Sequence, residues 1–393
     1  MERMLLPARA GLALLTVIAV GAVAGPAEAA STGYATAGTT KVTFTARVGA
    51  KNKVVITRSG RTVTIDDRVT VKPGKGCKRV TDDKTKVRCT TTKTPTQVVV
   101  KLYDRNDSVT NNSDLKMVAN GGAGNDTLVG GPKQDTLTGD DVCAHSTAGN
   151  DRIYGRGGND QILAADGSDY VNAGDGNDDV SGGGNCADGA KYDGNDVIRG
   201  GNGTDLLQGG AGNDQVYGDN GNDVLFGALG KDRLEGGAGN DELEGDADAG
   251  NAAADVLLGG AGRDLVTYAS YTKAVTVDLD GATGDDGIAG EHDTVGADVE
   301  DILSGSGNDH LTGNTAANDI DGQDGNDVIH GGASNDRLTG RTGVNTIYGE
   351  DGDDELSTWN ESGISLLDGG PNNDLCRAKA GNTLVSCEIL LAP

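Results

Sequence analysis

From Asn120 onward, apolar residues recur in steps of nine, with a few insertions between them. Leu128, Leu137, Ile153, Ile162, Val171, Val180, Ile198, Leu207, Val216, Leu225, Leu234, Leu243, Leu257, Val266, Leu311, Ile329, Leu338 and Leu356 all belong to this series. One apolar residue with polar neighbours predicts a very short strand with one inward side chain. Alone, such a unit buries too little to offset its chain entropy. Stacked, the units bury a continuous aliphatic ladder, which predicts a solenoid. Residues 31–118 follow a different rule. Lys41 to Val48 alternate apolar with polar, the period of a half-buried strand. Val54–Thr57 and Thr62–Ile65 flank Ser59-Gly60, which predicts a hairpin turn, and Cys89–Thr92 and Val98–Tyr103 supply further strands. A small β domain is therefore expected over 30–118, ahead of the repeats at 119–377.

The rest of each unit is as regular as its apolar position. The frame is Gly-Gly-x-Gly-x-Asp-x-apolar-x, complete from Gly121, Gly200, Gly209, Gly236 and Gly259. Its aspartates are Asp126, Asp135, Asp151, Asp160, Asp169, Asp178, Asp196, Asp205, Asp214, Asp223, Asp232, Asp241, Asp255, Asp264, Asp309, Asp327, Asp336 and Asp354, with a further copy at Asp374. Asn318 and Asn345 replace Asp in two units, and Ala187 stands where a third Asp is expected. Insertions fall at 140–148, about 245–253 and about 358–366. A longer interruption covers about 265–303, within which Val275, Val277 and Leu279 alternate like a strand and Glu300 with Ile302 keeps the frame's phase.

Charge sharpens the picture. Residues 31–118 hold 18 Lys+Arg against 7 Asp+Glu, whereas residues 119–393 hold 13 against 51, a balance of −38. So acidic a segment repels nucleic acid and itself. Stacking would line its aspartates into columns at strand spacing, ~4.8 Å, a strongly repulsive arrangement. A hard divalent cation between turns removes that repulsion. Glycine permits the positive φ angles that aim several carbonyls at one point. An oxygen-only, flexible shell of carboxylates and carbonyls suits Ca²⁺ better than Mg²⁺, which demands tight octahedral geometry and keeps its waters.

From about Asn120 to about Arg377 the chain resembles the repeats-in-toxin, or hemolysin-type calcium-binding, family. The resemblance implies an all-β fold: a parallel β-roll solenoid with two nonapeptides per coil and Ca²⁺ held between repeats i and i+2. Carried onto this chain, it pairs Asp205 with Asp223, Asp214 with Asp232 and Asp196 with Asp214. Carbonyls such as those of Gly200, Gly201 and Gly203 would complete the shells. Pairs with Asp at both ends suggest on the order of ten sites.

The first residues read as an export signal: Arg3 and Arg9, an apolar run from Gly11 to Ala24, then Ala27-Glu28-Ala29, with cleavage expected after Ala29. The mature chain would then carry no membrane span and be secreted. The six cysteines suit that compartment, and three local disulfides are the simplest arrangement: Cys77–Cys89, Cys143–Cys186 and Cys376–Cys387. The C-terminal motif around Cys376 resembles exported Gram-positive members of the family, which implies that Cys376–Cys387 staples a cap over 378–393. No His-Glu-x-x-His or Gly-x-Ser-x-Gly is present, so no catalytic residue is assigned. The expected function is a secreted, non-enzymatic calcium-binding protein with a structural or surface role. Two alternatives stay open: an adhesin whose basic domain grips an anionic cell-envelope polymer, and a calcium-dependent hydrolase with its site in the interruption.

Overall fold

The computed structural model describes residues 33–141, 149–183, 193–246, 253–359 and 363–390. The export signal, Ala187 and the Cys143–Cys186 pair lie outside the described residues. Among those described, every regular element is a strand, and no helix is long and apolar enough to cross a membrane.

The strands build an 18-stranded sheet, a 13-stranded sheet and a 7-stranded sheet. In the roll, the chain alternates between two facing sheets. Val197–Asn202 pairs in parallel with Gln215–Asn220, Val197 opposite Gln215, and Leu206–Ala211 pairs likewise with Val224–Leu229. Partners 18 residues apart mean two nonapeptides per coil, as the all-β parallel β-roll requires. The eighth-position residues fill the space between the sheets. Leu207, Val216, Leu225, Leu234 and Leu243 are all fully buried, each contributing roughly 1.5–3 kcal/mol by leaving water.

The glycines set the turns. Gly203 and Gly221, fourth in their frames, have φ of 142° and 144°, a region closed to most side chains. A Cβ on Gly221 would also overlap the carbonyl oxygen of Gly203 in the coil below. Fourth-position glycines therefore pack backbone on backbone.

The N-terminal strands are the first rungs of the same two sheets. Gln97–Lys101 lies in parallel between Lys41–Ala46 and Lys116–Asn120. Val54–Ser59 pairs with Thr62–Asp66 as a hairpin and, on its other side, with Ser108–Asn111. The boundary expected near residue 118 falls inside the strand Lys116–Asn120, and one hydrophobic cluster extends from Ala35 to Cys376.

The interruption divides one of the two sheets. Asp301–Leu303 pairs with Leu265–Thr267, with Ile302 opposite Val266, so one sheet continues in phase. The other ends at Thr294–Val295, and a new sheet begins at Val275–Asp278. Tyr268 and Tyr271 are buried at this junction and donate to Asp293 and Glu291, at 3.0 and 2.9 Å. Cys77–Cys89 and Cys376–Cys387 form disulfides near the two ends of the stack.

Candidate metal centre

Each sixth-position aspartate is held by its neighbours one coil away. Asp205 donates its backbone N–H to Asp223 Oδ1 at 2.8 Å, and its own Oδ1 accepts from Asp178 N at 2.8 Å. Its carbonyl accepts from Val224 N at 2.9 Å. Repetition of this pattern makes two columns. One contains Asp126, Asp151, Asp169, Asp196, Asp214, Asp232 and Asp255. The other contains Asp135, Asp160, Asp178, Asp205, Asp223, Asp241 and Asp264. Beyond the interruption, Asp309 joins Asp327, and Asp336 joins Asp354. The structure thus brings together 205 with 223, 214 with 232 and 196 with 214.

The second carboxylate oxygen decides the chemistry. In every one of these aspartates except Asp135, Oδ2 is buried and has no hydrogen-bond partner. Asp135 differs because its Oδ2 accepts from Gly131 N at 2.6 Å. The orphaned oxygens face a cradle opened by the frame's first glycine. A Cβ on Gly209 would stand 2.5 Å from Asp214 Oδ2 and 2.9 Å from the Gly227 carbonyl oxygen. A side chain there would fill the place where these oxygens converge.

Asn345 shows what surrounds that seat. Its Oδ1 accepts from Asp327 N at 2.9 Å, as an aspartate's would. Its Nδ2 takes the place of Oδ2 and donates to the Gly340 carbonyl at 2.6 Å, the Thr358 hydroxyl at 3.2 Å and the Thr342 carbonyl at 3.3 Å. The seat is therefore ringed by acceptors. An amide nitrogen satisfies them, whereas a carboxylate oxygen adds another acceptor and needs a proton or a cation.

Electrostatics agree. Burial, reinforced by Asp169, raises the carboxyl of Asp196 from 3.8 to about 10. Burial raises Asp205 and Asp214 to about 7, with neighbouring aspartates adding to the shift. Such groups resist ionisation unless positive charge sits beside them. Orphaned carboxylate oxygens, converging carbonyls and a glycine-lined space fit a hard cation with oxygen ligands, Ca²⁺ above all. The RTX calcium-binding nonapeptide repeat model matches residues 120–141, 145–171, 160–185, 192–225, 217–250, 249–268, 296–329, 303–338 and 330–360. Together these cover just over half of the chain.

The chain belongs to the RTX calcium-binding nonapeptide repeat family. No curated protein matches it. Its RTX repeats are calcium-binding repeats, and the columns extend past the frame that announces them. Asp107 N donates to Asp126 Oδ1, and Asp107 carries the same orphaned Oδ2. Its unit has no glycine: Tyr103 and Arg105 take the turn's positive φ, both 78°. The surviving signal is Asp107 two residues before the buried Val109. Asp374 Oδ1 accepts from Asp354 N and its Oδ2 is also orphaned. At the interruption, Asp293 accepts from Asp255 N and Glu300 from Asp264 N, so both columns continue there.

Proposed function

We propose that this chain is an exported, non-catalytic β-roll that folds on meeting extracellular Ca²⁺ and serves a structural or surface-associated role. The observation that carries this reading is the row of orphaned Oδ2 atoms set against the amide of Asn345. Asp126, Asp151, Asp160, Asp169, Asp178, Asp196, Asp205, Asp214, Asp223, Asp232, Asp241, Asp255, Asp264, Asp309, Asp327, Asp336 and Asp354 would hold multiple cations. When bound, Ca²⁺ supplies positive charge between carboxylates of neighbouring coils. The chain's own part is to fix each carboxylate through the backbone N–H of the coil below and to aim glycine carbonyls at the same place. Without cations, self-repulsion of the acidic segment opposes stacking, so folding and binding are coupled. Extracellular modules often bind in the 10⁻⁴–10⁻³ M range, which places folding after export. The two disulfides agree with an oxidising compartment. Circular dichroism during a chelator titration tests the coupling. The β signal should fall as EGTA removes Ca²⁺; an unchanged signal in excess EGTA overturns the reading.

A second reading, attachment to an anionic envelope polymer, is favoured by the basic end. Lys78 and Arg88 are partners on adjacent strands and both exposed, with Lys84 exposed on the same strand as Arg88. A row of cations on a flat sheet suits a repeating polyanion. Retention of the full chain on immobilised cell-wall polyanion at low salt, and its loss on K78E/R88E substitution, would support it. Equal retention of wild type and variant would refute it.

A further inference from the structure

The insertions after residues 140 and 246 interrupt the roll in the same way, and both leave a second carboxylate inside it. Asp140 and Asp246 follow the first glycine of a frame, Gly139 and Gly245, where the regular repeat has its second glycine. An aspartate at that position elsewhere stays outside: Asp219 has φ 70° and pairs with Arg199 at 2.8 Å with a partly exposed side chain. Asp140 and Asp246 are buried, at 2% and 4% exposure. In each, Oδ2 reaches across the insertion to the backbone N–H where the frame resumes. Asp140 accepts from Gly149 N at 2.7 Å and Asp246 from Ala253 N at 2.8 Å. In each, Oδ1 is buried and has no partner.

Their neighbours are also equivalent. A Cβ on Gly139 would collide with Asp151 Oδ2, and one on Gly245 with Asp255 Oδ2. A Cβ on Gly121 would meet Asp126 Oδ2 and the Gly139 carbonyl together, and one on Gly227 would meet Asp232 Oδ2 and the Gly245 carbonyl, so the residues just before Asp140 and Asp246 line the cradles of Asp126 and Asp232 as well. Asp126 with Asp151, and Asp232 with Asp255, are successive members of one column. Two coil junctions therefore carry three buried carboxylates, each of the three with an orphaned oxygen.

We propose that Asp140 and Asp246 are additional cation ligands, giving the Asp126–Asp151 and Asp232–Asp255 junctions a third carboxylate and making them the tightest Ca²⁺ sites of the roll. This rests on the calcium reading above. Cation affinity in oxygen sites rises with the number of charged ligands. The same carboxylates close the base of each insertion through Gly149 and Ala253. Cation binding at these two junctions thereby fixes where the chain leaves and re-enters the stack, so the breaks in the repeat become its best-anchored points.

The test uses the full chain with Asp140→Asn, Asp246→Asn and the double substitution, beside Asp141→Asn as a control at an exposed neighbour. Asn keeps an oxygen to accept from Gly149 or Ala253, so the backbone contact survives and only the charge is removed. Ca²⁺ binding is measured by competition with a chromophoric chelator. Each single variant should lose one site from the tightest class, with affinity there falling about tenfold or more; the double variant should lose two. Circular dichroism at saturating Ca²⁺ should match wild type. Identical titrations for wild type, D140N and D246N overturn the proposal, as does an equal effect of D141N. Failure of the variants to fold even at saturating Ca²⁺ would mark a purely structural role and also overturn it. Retention of no Ca²⁺ by wild type would instead refute the calcium reading itself.

Discussion

Replacing Asn345 by Asp converts an amide-satisfied rung into one like its neighbours. Asn345 is fully buried. Its Nδ2 shares two N–H groups among the acceptors of Gly340, Thr342 and Thr358, and both donors vanish in N345D. Leaving a buried acceptor unmet costs about 1–3 kcal/mol, and an uncompensated buried charge about 3–5 kcal/mol. These overlap, because protonation relieves the charge while leaving most acceptors unmet. The expected loss while that one seat is empty is about 3–5 kcal/mol at pH 8. A cation binding only the folded form returns about 2.7 kcal/mol at a hundredfold excess over its dissociation constant. Urea unfolding of wild type and N345D, each at just enough Ca²⁺ to fold the roll and at saturating Ca²⁺, reads both numbers. N345D should unfold at clearly lower urea at limiting Ca²⁺ and recover most of the difference at saturation. Equal destabilisation in the two conditions would refute the view that the seat accepts a cation. No destabilisation in either would refute the role of the amide donations.

Three further outcomes follow from the same geometry. With no cation beside them in the stacked roll, burial pushes the carboxyl of Asp196 up to about 10 and those of Asp205 and Asp214 to about 7, above the ordinary 3.8. Groups raised on folding contribute stability below pH about 4 that is lost as pH rises through their folded values. The Ca²⁺-free chain should therefore keep more of its β signal by circular dichroism at pH 5 than at pH 8, and a larger signal at pH 8 contradicts the assignment. Gly221→Ala places a Cβ on the Gly203 carbonyl oxygen at φ 144° and should destabilise by about 2 kcal/mol or more. Gly49→Ala, with positive φ but open space around it, should cost no more than about 1–2 kcal/mol; a thermal melt in which the two match would remove the backbone-contact argument. Leu225→Ala opens the sealed ladder and should cost about 2–5 kcal/mol in urea unfolding with Ca²⁺ present. A loss below 1 kcal/mol would mean that the eighth position is not the core.

Much of the roll is legible because a nine-residue frame leaves little freedom. Asp205 and Leu207 are separated by one residue, so fixing one in the ladder fixes the other at the turn. The coil pairs 196–214 and 205–223 follow once two units make a turn. Glycine was a less complete guide. It missed Asp107, whose turn is made by Tyr103 and Arg105, and it did not separate Asp135, which satisfies itself through Gly131 N. The N-terminal strands show a different limit. Alternation in Lys41–Ala46 fixes which residues face inward, but pairing with Gln97–Lys101 is a long-range choice that local pattern does not encode. The interruption was half legible. Glu300 and Ile302 kept their phase, but the second sheet restarting at Val275 depends on Tyr268 and Tyr271 turning inward.

The 18-residue coil also makes the molecule a length converter. Stacked, each coil advances the chain by one strand spacing, about 4.8 Å. Released, the same 18 residues can reach about 60 Å. One coil that comes off the stack thus pays out roughly twelve times the length it occupied. If its cations are what hold a coil in place, dissolved calcium sets the reach of anything attached to the two ends, and pulling on those ends weakens the grip on calcium in return.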